Sequence, residues 1–276
     1  MTAGLLDADW HAALAAQAQQ APRRPRVPLH AGGVAVGSVE DGFLNQIAPQ
    51  RRKYGRLQLS KDEHPPFGWH LLGEPTQALD ALAHALREQG LAGAWRNEQL
   101  AVADAQGRRV ATVERAAVRP LGIATAAVHL AARAPDGRHW VQQRALDKAT
   151  DPGLWDTLMG GLVSAADTLH DALARETWEE AGLRLEQLRG VARGGTLPVR
   201  RPSPDGAGAG YMVEDIAWFH ATVPDGVAPC NQDGEVARFA LLEPAELEQW
   251  LLQGRFTLEA ALVLARAEPL FMLSNR

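Results

Sequence analysis

The sequence predicts an α+β fold, and three observations carry this prediction. A strand-like, mostly apolar stretch over 123–132 and a return strand over 139–144 flank the turn Pro135-Asp-Gly-Arg138, which is typical of a β-hairpin. A helical pattern over 168–181 stops at Gly182, and two more helices close the chain at 244–253 and 257–267. The helices are segregated and do not alternate regularly with strands, which argues against a doubly wound parallel sheet.

The composition excludes several classes of protein. The chain has 276 residues, of which 46% are hydrophobic and 22% are charged, so global disorder is excluded. Its net charge of −5 disfavours a dedicated nucleic-acid coat. The single cysteine, Cys230, excludes an internal disulfide framework and a cysteine-based zinc site. The length corresponds to one large domain or two modest ones.

We expect neither a signal peptide nor a membrane span in this sequence. The first ten residues contain neither a basic segment nor an unbroken apolar run, and no stretch has the length of a membrane span. Two basic clusters, at 21–26 and 50–56, could be nucleic-acid arms, but solvated surface fits an acidic protein better. We therefore expect a cytoplasmic protein without nucleic-acid or membrane partners.

The remaining elements follow from periodicity and from turn residues. In the first half we predict a helix over 7–20, mixed short elements over 27–72, a helix over 76–89 capped by Gly90, and strands over 95–102 and 109–116. In the second half we predict strands over 123–132, 139–144, 189–197, 211–221 and 236–242, and an extended segment over 154–163.

The helix over 168–181 carries a pattern of acidic residues. Glu176, Glu179 and Glu180 lie within one helical turn of each other and share a face. Three neighbouring carboxylates repel each other unless they are solvated or a cation neutralises them. Hard oxygen ligands favour Mg²⁺ or Mn²⁺, which also bind phosphates. The opposite, buried face of the helix is predicted to be formed by Ala174, Thr177, Trp178 and Ala181. The alternative to a cation site is an ordinary exposed, Glu-rich helix.

Two local features support a cation site. Thr168 and Asp171 form a predicted capping box, which specifies where the helix begins. Gly160 and Gly161 precede the helix, and a glycine pair allows close backbone approach and can present a carbonyl oxygen to a metal.

The spacing of these residues resembles the signature of a known family. The segment reads G-x5-D-x7-R-E-T-W-E-E-A-G-L from Gly161 to Leu183 and closely resembles the Nudix box, G-x5-E-x7-R-E-U-x-E-E-x-G-U. The resemblance implies a Nudix fold, in which a mixed sheet lies between helices, and hydrolysis of a diphosphate bond. Two positions depart from the pattern, since Asp167 replaces a glutamate and Thr177 an aliphatic residue.

The resemblance also implies roles for the residues of the box. Glu176, Glu179 and Glu180 are the expected ligands of Mg²⁺ or Mn²⁺, together with the carbonyl of Gly161. Arg175 is expected to orient the carboxylates, while Asp167 and Gly182 are structural.

Residues outside the box complete the expected site. The general base could be Glu179, Glu180 or Glu235, and Glu235 could also bind metal. Arg144 and Lys148 precede the glycine pair and could hold phosphates as charge-assisted donors. Tyr211, or alternatively Trp218 or Trp155, could stack on a heterocycle, although core packing is the more common role of an aromatic residue on a strand.

Further motifs over 114–242 resemble the Nudix subfamily that is associated with thiamine pyrophosphokinase. They include Glu114 to Val118, Arg144, Lys148, Asp156 and Asp233-Gly-Glu-Val236. The subfamily carries an extra domain before the Nudix domain, so we expect a small α/β N-terminal accessory domain over 1–115 and a Nudix domain over 116–276. The implied activity removes the terminal phosphate of thiamine diphosphate and of its damaged oxo and oxy forms. The accessory domain would shape the pocket, mediate homodimers, or both.

Two alternatives remain open at this point. The substrate could be a nucleoside diphosphate derivative, such as ADP-ribose or an oxidised nucleotide. The protein could instead be an inactive Nudix fold that binds a ligand, although inactive members usually lose the carboxylates that this chain keeps. Isomerase chemistry on the same fold is disfavoured, because it uses a cysteine before the box and this chain has none there.

Overall fold

The computed structural model describes residues 6–48, 57–64 and 67–273. The basic cluster 50–56 lies outside these ranges. Among the described residues, no helix is both long enough and apolar enough to cross a membrane.

Six α-helices are present in the described residues, and five of them correspond to predicted helices. They are α1 (Ala8–Ala18), α2 (Pro75–Glu88), α3 (Arg115–Val118), α4 (Leu169–Ala181), α5 (Pro244–Leu252) and α6 (Leu258–Leu273). Asp7 caps α1 through a hydrogen bond from the Trp10 backbone amide, and Glu74 caps α2. The short helix α3 was not predicted, because its residues continue the alternation of the preceding strand.

Thirteen strands are found in the described part of the chain. They are β1 (Arg26–Ala31), β2 (Val34–Glu40), β3 (Gln58–Lys61), β4 (Trp69–Leu72), β5 (Gln99–Ala103), β6 (Arg109–Glu114), β7 (Ala124–Arg133), β8 (His139–Arg144), β9 (Trp155–Asp156), β10 (Met159–Leu162), β11 (Arg189–Ser203), β12 (Gly210–Thr222) and β13 (Val236–Leu242). The predicted hairpin appears as β7 and β8, and strand β8 matches its predicted bounds.

The largest sheet is mixed. Its strands run in the order β11-β12-β7-β8-β13, while β10 pairs with β7 and β9 pairs with β8. Strand β12 lies parallel to β7, and the other pairs are antiparallel. The predicted α+β class is confirmed by this arrangement.

Helices cover both faces of the mixed sheet. On β7, Ala127 and Ala131 belong to a core cluster with α6, whereas Val128 and Leu130 belong to another cluster with α4. This alternation follows from the two-residue period of a strand. We call residues 124–273, which form this layered structure, the main-sheet region.

A second part of the molecule is built around a smaller sheet. The strand order β2-β1-β4-β3 forms this sheet, and β5 and β6 form a separate hairpin. Leu79, Leu82 and Leu86 of α2 lie in a core cluster whose members are almost all between residues 29 and 123. We call residues 26–118 the accessory region.

Helix α1 packs with the main-sheet region. Ala18 is buried in the cluster that contains α6, and Trp10 and Leu14 pack against the same cluster. Gln20 continues this contact, since its backbone amide donates to the carbonyl of Arg200. The expected grouping of the first helix with the accessory domain therefore does not describe its packing.

Candidate active site

The start and end of α4 are fixed by local interactions. The Thr168 hydroxyl accepts a hydrogen bond from the Asp171 backbone amide, and the Asp171 carboxylate accepts one from the Thr168 amide at 3.0 Å. Gly182 ends the helix with a φ of +63°, and a Cβ there would lie 2.5 Å from the carbonyl oxygen of Cys230. The predicted capping box and glycine stop are both present, so the position of every carboxylate on α4 is well defined.

Arg175 is the centre of a network of carboxylates. Its guanidinium donates to Asp167 at 2.8 and 3.0 Å, to Glu176 at 2.9 Å and to Glu179 at 3.0 Å. It also reaches the carbonyl of Leu162 in β10 at 3.4 Å. Burial would lower the pKa of Arg175, but the surrounding carboxylates raise it. One guanidinium thus holds the loop before α4 and two carboxylates of the helix.

Gly161 lies directly against Glu176. A Cβ at position 161 would fall 2.1 Å from the Glu176 carboxyl carbon, a distance at which no side chain fits. Burial raises the pKa of Glu176 to about 7, although the charge of Arg175 opposes the shift. The glycine therefore lets the backbone of β10 approach the carboxylate, and both Gly160 and Gly161 line the cavity described below.

Glu180 is the most buried carboxylate of α4. It is 2% exposed and accepts hydrogen bonds from the Gln142 amide at 2.7 Å and from the Gly160 backbone amide at 3.0 Å. Burial raises its pKa to about 8, although both hydrogen bonds favour the charged form. The predicted buried face of α4 is corrected here, because Glu180 lies inside and Trp178 is 43% exposed. Arg184 covers the Trp178 ring from outside at 4.7 Å.

Lys148 lies between Glu235 and Glu180. Its ammonium forms an ion pair with the Glu235 carboxylate and lies 4.0 Å from the nearer Glu180 oxygen. Burial would raise the pKa of Glu235, but the hydrogen bond and the charge of Lys148 outweigh this effect and lower it. The chain thus brings the downstream glutamate close to the helix of the box.

Arg144 belongs to a second group of buried and partly buried side chains. Its guanidinium lies 3.3 Å from Asp156 and donates to the carbonyl of Thr150 at 3.0 and 3.3 Å. His129 is buried beside Asp156 and shares a hydrogen bond with the Thr157 hydroxyl at 3.0 Å. Burial lowers the pKa of His129 and keeps the ring neutral, although the charge of Asp156 opposes this shift. Asp156 and the carbonyl of Thr150 therefore orient Arg144.

The donor chemistry around α4 fits a hard divalent cation. The carboxylates of Glu176, Glu179 and Glu180 and the carbonyl of Gly161 are all oxygen donors. Burial disfavours the charged forms of Glu176 and Glu180 and so raises their pKa values. A cation beside these carboxylates would stabilise their charged forms. Among the described residues, however, no three carboxylate, imidazole or thiol groups already stand in a metal-binding cluster. Arg175 is paired with Glu176 and Glu179.

A cavity of about 430 Å³ opens beside these residues. The glycine pair, Arg144, Lys148 and Glu235 line it. Its wall also includes residues that the sequence did not single out: the carboxylates Glu214 and Glu259 and three arginines from the segment 96–119. Burial and the charge of Glu214 raise the pKa of Glu259 to about 7.

The aromatic residues proposed for stacking do not line this cavity. The Tyr211 hydroxyl donates to the carbonyl of Gln20 at 2.8 Å, and the guanidinium of Arg26 lies over its ring. Trp218 and Trp155 are 3% and 6% exposed and belong to the core cluster on the α6 side of the sheet. The expected stacking role of Tyr211 therefore has no support in its position, because the side chain is engaged elsewhere.

Several residues at the site carry no signal in the sequence. Gln142 is an ordinary strand residue until β8 places it against Glu180. Glu259 follows the predicted start of a helix and reads as a solvated residue of its first turn. Only the tertiary structure brings such residues to the cavity.

Comparison with known proteins places the chain in a family. The model of the NUDIX domain matches residues 123–265, which is about half of the chain. The chain belongs to the Nudix family. The matched residues include the whole box and lie within the main-sheet region, apart from Ile123.

Two relatives, both named as uncharacterised Nudix hydrolases, illustrate how much of the chain is similar to known proteins. An uncharacterised Nudix hydrolase of Pseudomonas aeruginosa is 37% identical over 92 residues, which cover 33% of this chain and 54% of that protein. Another, from Streptomyces coelicolor, is 31% identical over 170 residues, which cover 62% of this chain and 88% of that protein. The alignment with the Streptomyces coelicolor protein covers 62% of this chain, which is more than residues 123–276 make up. The aligned stretch therefore includes part of the accessory region.

A relative with a different name also matches. The isopentenyl-diphosphate Δ-isomerase of Streptomyces coelicolor is 34% identical over 134 residues, covering 48% of this chain and 64% of that protein. The relatives named Nudix hydrolases, together with the family match, support a hydrolase that acts on pyrophosphate bonds. In this chain the lone cysteine lies after the box and is exposed, outside the cavity wall.

Proposed function

We propose that the protein hydrolyses the diphosphate of a small molecule, and that its substrate is thiamine diphosphate or a damaged oxo or oxy form of it. The observation that carries this proposal is a cavity whose wall combines the glycine pair of the box with cationic side chains, including Arg144 and Lys148, and with carboxyl groups, including Glu214 and Glu235. Water would attack the terminal phosphorus, the bridging P–O bond would break, and the products would be the monophosphate and inorganic phosphate.

The charged residues in and beside the cavity would have separate roles in the reaction. Arg144 and Lys148 line the cavity, where they would hold phosphate oxygens as charge-assisted donors. Glu176, Glu179, Glu180 and the Gly161 carbonyl would hold Mg²⁺ or Mn²⁺, which supplies charge neutralisation and a more acidic water when bound. Arg175 keeps Glu176 and Glu179 in place through its hydrogen bonds. Asp167 supports the same arginine from the loop, so the shorter side chain still reaches.

Three carboxylates remain candidates for the general base. Glu235 is ionised but paired with Lys148. Glu180 has a raised pKa and would have to lose its proton first. Glu179 is 41% exposed and interacts with Arg175 at 3.0 Å, so it is the carboxylate of the box most accessible to water.

The choice of thiamine over other diphosphates rests on two arguments. The sequence resembles the thiamine-associated subfamily over 114–242, including motifs outside the box. In addition, the carboxyl groups of Glu214 and Glu259 line the cavity, and a cation bound beside them would favour the ionised form of Glu259, whose pKa is raised to about 7. A cationic thiazolium ring is attracted by such carboxylates, whereas a neutral nucleobase gains less from them.

A panel of diphosphates tests the proposal. With Mg²⁺ or Mn²⁺, the wild-type protein is expected to release inorganic phosphate from thiamine diphosphate and oxythiamine diphosphate. We expect Glu179→Gln to reduce this rate by about 100-fold or more, because a carboxylate of the site loses its charge. Glu186→Gln changes an exposed carboxylate in the turn after α4 and is the control.

Each other result has a defined meaning. Activity confined to ADP-ribose or oxidised nucleotides would show that the thiamine assignment is wrong. A wild-type protein without metal-dependent turnover on any diphosphate would favour the inactive, ligand-binding alternative. An expected homodimer is measured independently by the mass of the protein in solution.

A further inference from the structure

Two arginines of the accessory region face the same cavity as the box. Arg96 lies in the loop between α2 and β5, and Arg115 is the first residue of α3. Both line the cavity together with Gly160, Gly161 and Lys148. Their charges also act on the carboxylate of Glu235. The accessory region therefore contributes positive charge at the place where a diphosphate is expected.

A buried glutamate holds the backbone that carries both arginines. Glu114 is 1% exposed, and its carboxylate accepts hydrogen bonds from the backbone amides of Arg96 at 2.9 Å and Ala116 at 3.5 Å. The amide of Arg115 in turn donates to the carbonyl of Glu98 at 2.8 Å. These bonds join the loop before β5 to the start of α3, so the two arginines are presented by one ordered segment.

The arginines differ in how far their charge is already compensated. Arg115 forms an ion pair with Glu98 at 2.8 Å, and its side chain is 41% exposed. Arg96 is exposed and forms no ion pair within the described parts of the chain. Exposed guanidinium groups at a cavity wall are well suited to bind phosphate, because they offer several donors in one plane.

The site also needs such charge. Glu235 lines the cavity and is paired with Lys148, while Glu176 and Glu179 on α4 are paired with Arg175. Lys148 and Arg175 are thus already engaged with carboxylates. A terminal phosphate carries up to two negative charges, which a phosphate esterified on both sides does not. Cations from outside the box would offset this additional charge.

We propose that Arg96 and Arg115 bind the terminal phosphate of the diphosphate, so that the accessory region forms part of the active site and selects substrates with an unesterified terminal phosphate. This inference rests on the proposed hydrolysis for the nature of the ligand. It goes beyond that function by assigning a binding role to residues outside the family match.

Kinetics on the full-length protein test the assignment. We expect Arg96→Gln and Arg115→Gln each to raise the KM for thiamine diphosphate by about 10-fold or more with kcat changed less than about threefold, as loss of a charge-assisted hydrogen bond predicts. Arg96→Lys and Arg115→Lys retain the charge and should recover part of the affinity. Arg108→Gln is the control, because Arg108 pairs with Asp104 in the β5–β6 turn and lies off the cavity wall.

Binding is measured on the same proteins by calorimetry with methylenediphosphonate and Mg²⁺, because its P–C–P bridge is not hydrolysed. We expect about 10-fold weaker binding in both glutamine variants and no change in Arg108→Gln. Equal binding and equal KM in the wild type and both glutamine variants would overturn the inference, even if the wild type turns over thiamine diphosphate. If the wild type binds the analogue and both glutamine variants bind it more weakly, but no diphosphate is turned over, the proposed hydrolysis alone is refuted. If the wild type does not bind the analogue, the inference is overturned.

Discussion

The pair Glu180 and Gln142 shows how one residue depends on its environment. The Gln142 amide nitrogen donates to Glu180, while its carbonyl oxygen is buried without a hydrogen-bond partner among the described residues. An ionised Glu180 can only accept hydrogen bonds, so it leaves this oxygen unsatisfied. Burial makes a charge at Glu180 unfavourable unless a cation lies next to it, and the hydrogen bonds from Gln142 and Gly160 offset only part of this cost.

This arrangement predicts that the metal-free protein loses stability as the pH rises from about 5 to 8. The pKa of Glu180 is about 8 in the folded protein and near its ordinary value in the unfolded chain, so in this range the folded state binds more protons. The free energy of unfolding should therefore fall with rising pH, by on the order of a few kcal/mol. Urea unfolding at a series of pH values in the presence of a chelator measures the slope.

The variant Glu180→Gln isolates the contribution of this residue. Its amide keeps the shape but cannot ionise, and its nitrogen can donate to the unsatisfied Gln142 oxygen. We expect a shallower decline than in the wild type and higher stability at pH 8. Glu176 and Glu259, whose pKa values are both raised to about 7, retain a slope of the same sign. Parallel wild-type and Glu180→Gln profiles would contradict the prediction.

At the level of a single element, the start of α4 determines where the carboxylates of the box lie. Thr168→Ala removes the hydroxyl that accepts from the Asp171 amide, and we expect it to lower the free energy of unfolding by about 1 kcal/mol. Thr168→Ser retains the hydroxyl and is the matched control, with stability close to that of the wild type. Chemical denaturation of both variants measures the difference, and equal losses would show that the cap does not act through this hydroxyl.

The same element shows what sequence patterns can and cannot predict. The bounds of α4 were predictable because a capping threonine and a terminating glycine act locally. Its buried face was not, because the periodicity of apolar residues favoured Trp178 over Glu180. The buried environment of Glu180 includes Gln142 of β8 and Gly160 of β10, both of which donate hydrogen bonds to its carboxylate. A helix that carries chemistry can therefore depart from an apolar pattern at the residues that matter most.

On the scale of the whole molecule, the two regions meet along the cavity and beside the box. The Ala165 backbone amide donates to the carbonyl of Gln99 at 2.7 Å, and Arg109 donates to the carbonyl of Ala165 at 2.6 Å. The loop that leads to α4 is thus hydrogen-bonded to the β5–β6 hairpin. No local pattern predicts such pairings, since they join residues about 60 positions apart. Sequence motifs could identify the box, but not the arginines that the accessory region brings to it.

The position of α1 leads to a prediction about the stability of the whole chain. Ala18 is 3% exposed in the core cluster of the main-sheet region, whereas Ala16 lies on the exposed side of the same last helical turn. Ala18→Asp places a carboxylate in this core without a partner, and we expect a loss of about 3 kcal/mol or more. Ala16→Asp alters the helix end in the same way without burial, so it should cost less than about 1 kcal/mol.

Hydrogen exchange then locates the effect of Ala18→Asp. If α1 is part of the main-sheet region, protection should fall first in α6 and β11, while α2 in the accessory region keeps its protection. Loss of protection confined to α2 would place the first helix with the accessory region after all. In the sequence, the accessory region lies between α1 and the main-sheet region, which contains α6. The expected result would therefore mean that the accessory region is inserted between two segments of the chain that form one core. Its arginines would then be held against the cavity by covalent connections on both sides as well as by the contacts at the β5–β6 hairpin.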